Sequence, residues 1–381
     1  MKIVTILFTY NRPVHTGKVL DALSKNTILP EKLFIFHDGK KDSTNTEDWN
    51  AVEDVIHGVC WCDCECITSE FNKGLADSVV YGVTTVLKDY DAVIVLEDDC
   101  VPHPQFMEYM TACLNIYCEN KEVYSVSGYA YPIDVVSQYD SDVYAVGRVS
   151  SLGWGTWKDR WSSFKRDYTM LTKMKKDEIL SRRLAIWGSD LETMCIANLK
   201  GQIDSWAVFW ALDAIYKEKI CINPYFSLIT NIGYDGSGVH SGDGGAPHIF
   251  VEERKDISFK IPRDIKIEKR VEIAFSKLYG SLAAVLDYDD HKEDVVIYGC
   301  GRLYEKHKNE IALRYNVAAF IDNQKKGFYE GKRLMKISEA GDYLKYKIII
   351  AIIRPDEIDF AKKSLEDIGK KENIYLLDEL I

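Results

Sequence analysis

Residues 93–106 read VIVLEDDCVPHPQF. Four apolar residues, Val93 to Leu96, run straight into Glu97, Asp98 and Asp99. A strand apolar at successive positions is buried on both faces, as in a parallel sheet. Three adjacent carboxylates repel one another, so they call for a partner. Pro102 and Pro104 then re-aim the chain before an apolar helix. Upstream, strand patterns at 3–9, 32–38 and 59–68 alternate with helical periodicity at 14–23 and 74–89. This order predicts an α/β fold, a mostly parallel sheet with helices on both faces. Ligands in such sheets bind at the carboxyl ends of the strands. Tyr10, Asn11 and Arg12, then Asp38 and Gly39, then Glu97, Asp98 and Asp99 follow successive strands. They are expected to line one crevice. Carboxylates on a short loop suit a hard divalent cation, Mn2+ or Mg2+, held together with substrate phosphates. The plainer reading is a solvated loop with a helix cap.

The chain has 381 residues, enough for two domains. Its 46% hydrophobic and 28% charged residues are those of an ordinary globular protein. A net charge of −11 argues against nucleic-acid binding. No apolar run reaches the roughly 18–20 residues that span a bilayer, and the N-terminus lacks the pattern of a signal peptide. A cytoplasmic location is the expectation. Cys60, Cys62, Cys64 and Cys66 alternate with other residues, the period of a strand and not the C-x2-C of a zinc site. They read as one cysteine-lined face in a reducing compartment.

Residues 120–250 are less regular and rich in aromatics and glycine, with a Trp-rich stretch at 151–161 (SLGWGTWKDRW) and a Gly-rich one at 231–245 (NIGYDGSGVHSGDGG). Long loops of this kind on a sheet scaffold form a site or its lid. Trp154 and Gly155, with Trp157, are therefore expected at an apolar ligand surface, the plainer reading being a pair of core tryptophans; Trp161, at helical distance from Trp157, reads as core. Between 158 and 183, nine Lys or Arg stand against four Asp or Glu. That is a solvated face or a peripheral contact with an anionic membrane. The expected divisions are a domain over 1–255, a mostly helical linker over 256–291, and a small Rossmann-like domain over 292–381. In that last domain Gly299 and Gly301 match the start of G-x-G-x-x-G and Asp322 follows, but Tyr304 stands where the third small residue belongs. An accessory role is expected there.

The segments TILFTYNRP, FHDGKKD, FNKGLADSV and VLEDDCVPHPQF resemble, in order, motifs of GT-A-fold glycosyltransferases that use nucleotide sugars. LEDDCVPHPQF is similar to their acidic DXD-type motif. SLGWGTWKDRW, IDSWAVFW and NIGYDGSGVH resemble central motifs of bacterial transferases that build surface polysaccharides. The resemblance covers about residues 3–245. It implies a metal-dependent transferase acting from a nucleotide sugar, UDP-linked by default, on a saccharide or lipid-linked acceptor. Thr9, Tyr10, Asn11, Arg12, Asp38, Lys73 and Asp98 would bind the nucleotide. Asp99, with Asp98 and His240, would bind the metal. Asp204 matches the base of inverting relatives, although it is equally placed to cap the helix that follows it; Asp190, Asp213 and Asp235 are the other candidate acids. A sugar nucleotidyltransferase is disfavoured because FTYNRPVHTG has no glycine-rich loop. A non-catalytic sugar-binding protein is the remaining rival, and the C-terminal domain shows no catalytic pair for NAD chemistry.

Overall fold

The computed structural model describes residues 1–133, 141–235, 259–281 and 293–380. The chain divides into two compact units, Met1–Leu282 and Ala283–Ile381.

The first unit opens with β1 (Ile3–Thr9), α1 (Pro13–Ser24), β2 (Lys32–His37), α2 (Thr46–His57), β3 (Asp63–Thr68), α3 (Leu75–Val86) and β4 (Ala92–Glu97). A short strand β5 (Cys100–Pro102), helix α4 (Phe106–Ile116) and strand β6 (Val123–Ser127) follow. Then come β7 (Val143–Val146), β8 (Trp154–Trp157), α5 (Lys158–Trp161), α6 (Met170–Lys176), α7 (Glu178–Trp187), α8 (Ser189–Leu199) and α9 (Ala207–Tyr216). Strands β9 (Ile220–Pro224) and β10 (Ile229–Asn231) and helix α10 (Lys269–Tyr279) complete it. Eight strands form one sheet in the order β3-β2-β1-β4-β8-β6-β9-β7. Strands β3, β2, β1 and β4 are mutually parallel. Strand β8 runs antiparallel between β4 and β6, and β9 lies parallel to β6. The carboxyl ends of β1, β2, β4 and β6 therefore share one edge. This is the mostly parallel α/β sheet that the sequence predicts.

Burial explains the order. Strand β4 is buried from Ala92 to Leu96, so the centre of the sheet is apolar on both faces. On one face α1, α2 and α4 deliver Val19, Leu23, Val52, Ile56, Met110 and Leu114 onto Leu7, Ile35 and Ile94. On the other, α3 buries Ala76, Val79, Val83 and Val86 at helical spacing. Strand β3 is the half-exposed edge; Cys64 and Cys66 pack against the core from it, and Cys62 from the residue before it. Burial pushes the Cys64 thiol up to about 12, which makes it a poor nucleophile and a poor metal ligand.

Two expectations are corrected here. The stretch 151–161 is not an open loop: Trp154–Trp157 is strand β8, and all four residues are buried. A methyl group on Gly155 would sit 2.9 Å from the Val93 carbonyl and 3.1 Å from Met110, so glycine lets α4 close over the sheet. Trp157 donates to the Leu114 carbonyl at 3.0 Å. Trp161 is in the core, as expected. The supposed linker, for its part, contributes to the first unit. Helix α10 buries Val271 and Phe275, and Phe275 packs on Tyr131 and Trp187 with ring centres 4.9 and 5.1 Å apart.

The second unit contains β11 (Glu293–Tyr298), α11 (Arg302–Arg314), β12 (Tyr315–Ile321), β13 (Gly327–Tyr329), β14 (Lys332–Met335), β15 (Lys347–Ile350), α12 (Pro355–Asp367), β16 (Ile374–Leu376) and α13 (Leu377–Leu380). Its six strands are ordered β13-β14-β12-β11-β15-β16, parallel except for the β13–β14 hairpin.

Candidate functional site

The carboxyl ends of β1, β2 and β4 carry the three expected polar groups to neighbouring positions. Arg12 is the residue before α1. Its carbonyl accepts from the Thr16 amide and hydroxyl, both at 2.9 Å, so the backbone is fixed and the side chain leans over the edge. The guanidinium meets Asp98 through Nε at 3.2 Å and through Nη2, and Nη2 reaches Asp99 at 3.0 Å. Nη1 is buried, with no hydrogen-bond partner among the described residues. Burial opposes the Arg12 charge, but Asp98 and then Asp99 outweigh it and raise its pKa. Burial also raises the Asp98 carboxyl, more than Arg12 lowers it. Glu97 is pushed up to about 8 by burial, then by Asp99 and Asp98, while the Trp206 side chain hydrogen-bonds it. The Trp206 side chain thus holds Glu97 at the strand end, beside the two aspartates.

Asp38 does something the sequence did not reveal. Its carboxylate accepts from the amides of Gly39 (2.9 Å), Lys73 (2.9 Å) and Gly74 (3.0 Å) and from the Asn72 side chain (2.9 Å). Its carbonyl accepts from the Trp49 indole at 2.8 Å. The residue expected on the base of a nucleotide is the one that ties loop 71–74 to the sheet edge. Beside it lies a cavity of about 340 Å3 lined by Phe36, His37, Asp38, Phe71, Lys73 and Tyr81. The Lys73 ammonium lies 5.0 and 5.1 Å from the Phe71 and Tyr81 ring centres. His37 accepts or donates at Nδ1 with the Thr9 hydroxyl, 3.0 Å away, and its Nε2 is buried without a partner among the described residues. Tyr10 hydrogen-bonds the Thr44 hydroxyl, and Asn11 sits half-buried between Tyr10 and Arg12.

Asp204 joins this edge, but not as the cap of its own helix, because α9 begins at Ala207 with Trp206 before it. Its Oδ2 instead accepts from the Ala76 amide at 3.2 Å, capping α3 from a distance. Gly74 is held between Asp38 and Asp204. Its φ is +81°, and a methyl group there would lie 2.8 Å from Asp204 Oδ2. No local sequence signal marks a cap supplied from 128 residues away. Asp213 accepts from Tyr124 and from Lys217 at 2.7 Å, and Asp190 pairs with Arg148 at 2.6 Å. Both acids are structural.

Strand β10 pairs antiparallel with β5, which sets Asn231 opposite Cys100. The chain beyond it covers the acids. The Ile232 amide donates to the Asp99 carbonyl at 2.9 Å. A methyl group on Gly233 would lie 2.3 Å from Asp99 Oδ2. His15 Nε2 lies 3.1 Å from Asp235. The expected ligand His240 lies outside the described residues.

Trp154, Gly155 and Trp157 are not at an open surface. Trp154 is fully buried against Trp206, with ring centres 4.7 Å apart. Gly155 and Trp157 face α4 on the other side of the sheet, so the sugar-contact reading gives way to packing. The basic run at 158–183 is also largely committed. Arg160 donates to the carbonyls of Cys118 and Asn120 at 2.8 and 3.0 Å, just past the end of α4. Arg166, Lys173, Lys175 and Arg183 pair with Asp77, Asp167, Glu192 and Glu218. Among the described residues no helix is long and apolar enough to cross a membrane.

Asp98 and Asp99 supply hard oxygen donors beside an excess of negative charge, which fits Mg2+ or Mn2+ completed by phosphate oxygens. Among the described residues no three His, Cys, Asp or Glu side chains could hold a metal by themselves.

No sequence family and no curated protein matches the chain. Solved structures are similar at a distance. Staphylococcus aureus TarS is 14% identical over 47% of this chain and 30% of its own, with TM-score 0.30. Its 1–349 fragment in complex with UDP is 11% identical over 49% and 55%, also at TM-score 0.30. The mannosyltransferase PcManGT from Pyrobaculum calidifontis, in complex with GDP-Man and Mn2+, is 12% identical over 57% and 73%, with TM-score 0.31. This chain thus spans less than a third of TarS.

Proposed function

We propose that the first unit is a glycosyltransferase domain that binds a nucleotide-sugar donor at the carboxyl edge of β1, β2 and β4 and transfers the sugar to a saccharide or lipid-linked acceptor. The observation that carries this reading is the bridge from Arg12 to both Asp98 and Asp99, at the edge where Asp38 orders loop 71–74. A parallel sheet offers its ligand this edge, and the charges placed there match a diphosphate and a divalent cation. Asp98 and Asp99 would hold Mn2+ or Mg2+, which as a Lewis acid supplies charge stabilisation for a diphosphate leaving group. Arg12 offers its unpartnered Nη1 to phosphate oxygens, a pairing that suits a planar guanidinium. The cavity at His37, Asp38, Phe71 and Lys73 is where a nucleobase finds aromatic and polar walls. For an inverting transfer, Asp204 is the base of choice. It is exposed on this edge next to Gly74, and the N-terminus of α3 orients its carboxylate. The setting of the chemistry would be the synthesis of a bacterial surface polysaccharide at the inner side of the membrane.

The test is a thermal-shift panel of UDP-, GDP-, dTDP- and CMP-sugars with and without Mn2+, on the full chain and on Asp99→Ala. A donor at a hundred times its Kd stabilises by about 2.7 kcal/mol, so one nucleotide stands out. Its Mn2+-dependent shift is expected to vanish in Asp99→Ala. An undiminished shift in that variant removes the metal assignment, and no shift with any nucleotide removes the donor site.

A further inference from the structure

We propose that Arg12 is a resident counter-ion that occupies the Asp98–Asp99 pair and withholds it from divalent cations until a nucleoside diphosphate draws the guanidinium away. The proposal rests on the donor-site reading above and adds an order to it. In the structure one edge of the guanidinium, Nε and Nη2, is spent on Asp98, and Nη2 is shared with Asp99. The rest of the Asp99 carboxylate is enclosed as well. The Cys100 thiol points at Oδ1 from 3.5 Å, and Gly233 is packed over Oδ2. A cation that approaches must therefore displace Arg12. Displacement alone strands a largely buried guanidinium, and breaking one side of a pair removed from water is unfavourable. A diphosphate offers the alternative anion. Nη1 already stands buried with unused N–H groups, and Arg–phosphate contacts are of the strong, charge-assisted kind. The backbone of Arg12 is pinned by Thr16, so the exchange is a swing of the side chain and not a shift of α1. Cation and nucleotide then bind with positive coupling, each much weaker alone.

The measurement is direct. Free Mn2+ is counted by electron paramagnetic resonance in titrations of the full chain, alone and with saturating UDP or GDP. Wild type is expected to bind Mn2+ at least about tenfold more tightly with the diphosphate than without it, within the usual span of coupling between sites. Arg12→Gln is expected to bind Mn2+ alone about tenfold more tightly than wild type and to lose most of the gain from the diphosphate. Arg12→Lys, which keeps the charge but cannot span both aspartates, falls between them and stands in if Arg12→Gln does not fold. Equal Mn2+ affinity of wild type and variants without nucleotide overturns the counter-ion role while leaving the metal site intact. No Mn2+ binding by any of the proteins, with or without diphosphate, overturns the role and the metal reading together.

Discussion

The two units place an aspartate at the same point of the same architecture and use it differently. Asp38 follows β2, the parallel neighbour of β1; Asp322 follows β12, the parallel neighbour of β11. Asp322 serves its own turn: it accepts from the amides of Gln324 and Lys325 at 2.8 and 3.0 Å and from the Cys300 thiol at 3.4 Å. Asp38 reaches across the edge to residues 72–74. One edge closes on itself. The other organises a loop and leaves the Asp98–Asp99 pair with a single arginine between them. A parallel sheet thus offers a ligand edge by topology, but local hydrogen bonding decides whether the edge is left in need of one.

The difference is open to breaking. Asp38→Ala removes the acceptor for several donors at once, and hydrogen bonds to a charged group contribute about 1.5–3 kcal/mol each. With partial rescue by water, a loss of about 4 kcal/mol is expected in urea unfolding of the first unit. All eight tryptophans lie at or before Trp210, so their fluorescence reports that unit alone. Asp322→Ala is expected to cost about 1 kcal/mol, the worth of a local turn or cap, read from amide exchange of β12. Equal costs would erase the distinction between the two edges.

Much of this was legible in the sequence. The strands of the first hundred residues, and the grouping of Arg12, Asp38 and Asp98–Asp99 at one edge, follow from continuous apolar runs and from what comes right after them. Two things were not. The Trp154 stretch reads as a loop because glycines flank it, whereas Gly155 is there for close packing under α4. Asp204 carries no sign of capping α3, because a cap from a distant segment leaves no periodicity and no neighbouring N3 residue to betray it. Long-range partners of single polar side chains are where pattern reading ends.

The residues just before the two aspartates sharpen the contrast by pH. His37 precedes Asp38, and Ile321 precedes Asp322; both are buried. Burial holds the His37 pKa down to about 4, against about 6.5 for a free imidazole. The folded state keeps this ring neutral while the unfolded chain takes up a proton below about pH 6.5. The stabilisation is therefore full above that value and lost as pH falls through about 4. His37→Ile gives the first unit the residue of the second. Between pH 7 and pH 4 wild type is expected to lose about 3 kcal/mol more than this variant, by the same fluorescence measurement. Parallel pH profiles would mean that the ring is protonated in the fold.

An effect as small as that of Asp322→Ala concerns the position that departs from the dinucleotide pattern. Tyr304 stands where a small residue would let a helix close on a strand. Its ring is buried edge-on against Phe320, centres 5.0 Å apart, and its hydroxyl donates to Glu330 at 2.6 Å. The ring therefore fills the space between α11 and β12, and the hydroxyl ties α11 to the turn of the β13–β14 hairpin. Tyr304→Phe keeps the packing and removes only that tie. It is expected to cost about 1 kcal/mol, the net worth of one hydrogen bond, seen as faster amide exchange in the 327–335 hairpin with β11 unchanged. If β11 loosens equally, the hydroxyl matters to the whole unit, and the self-closed edge of the second sheet depends on this tie as much as on Asp322.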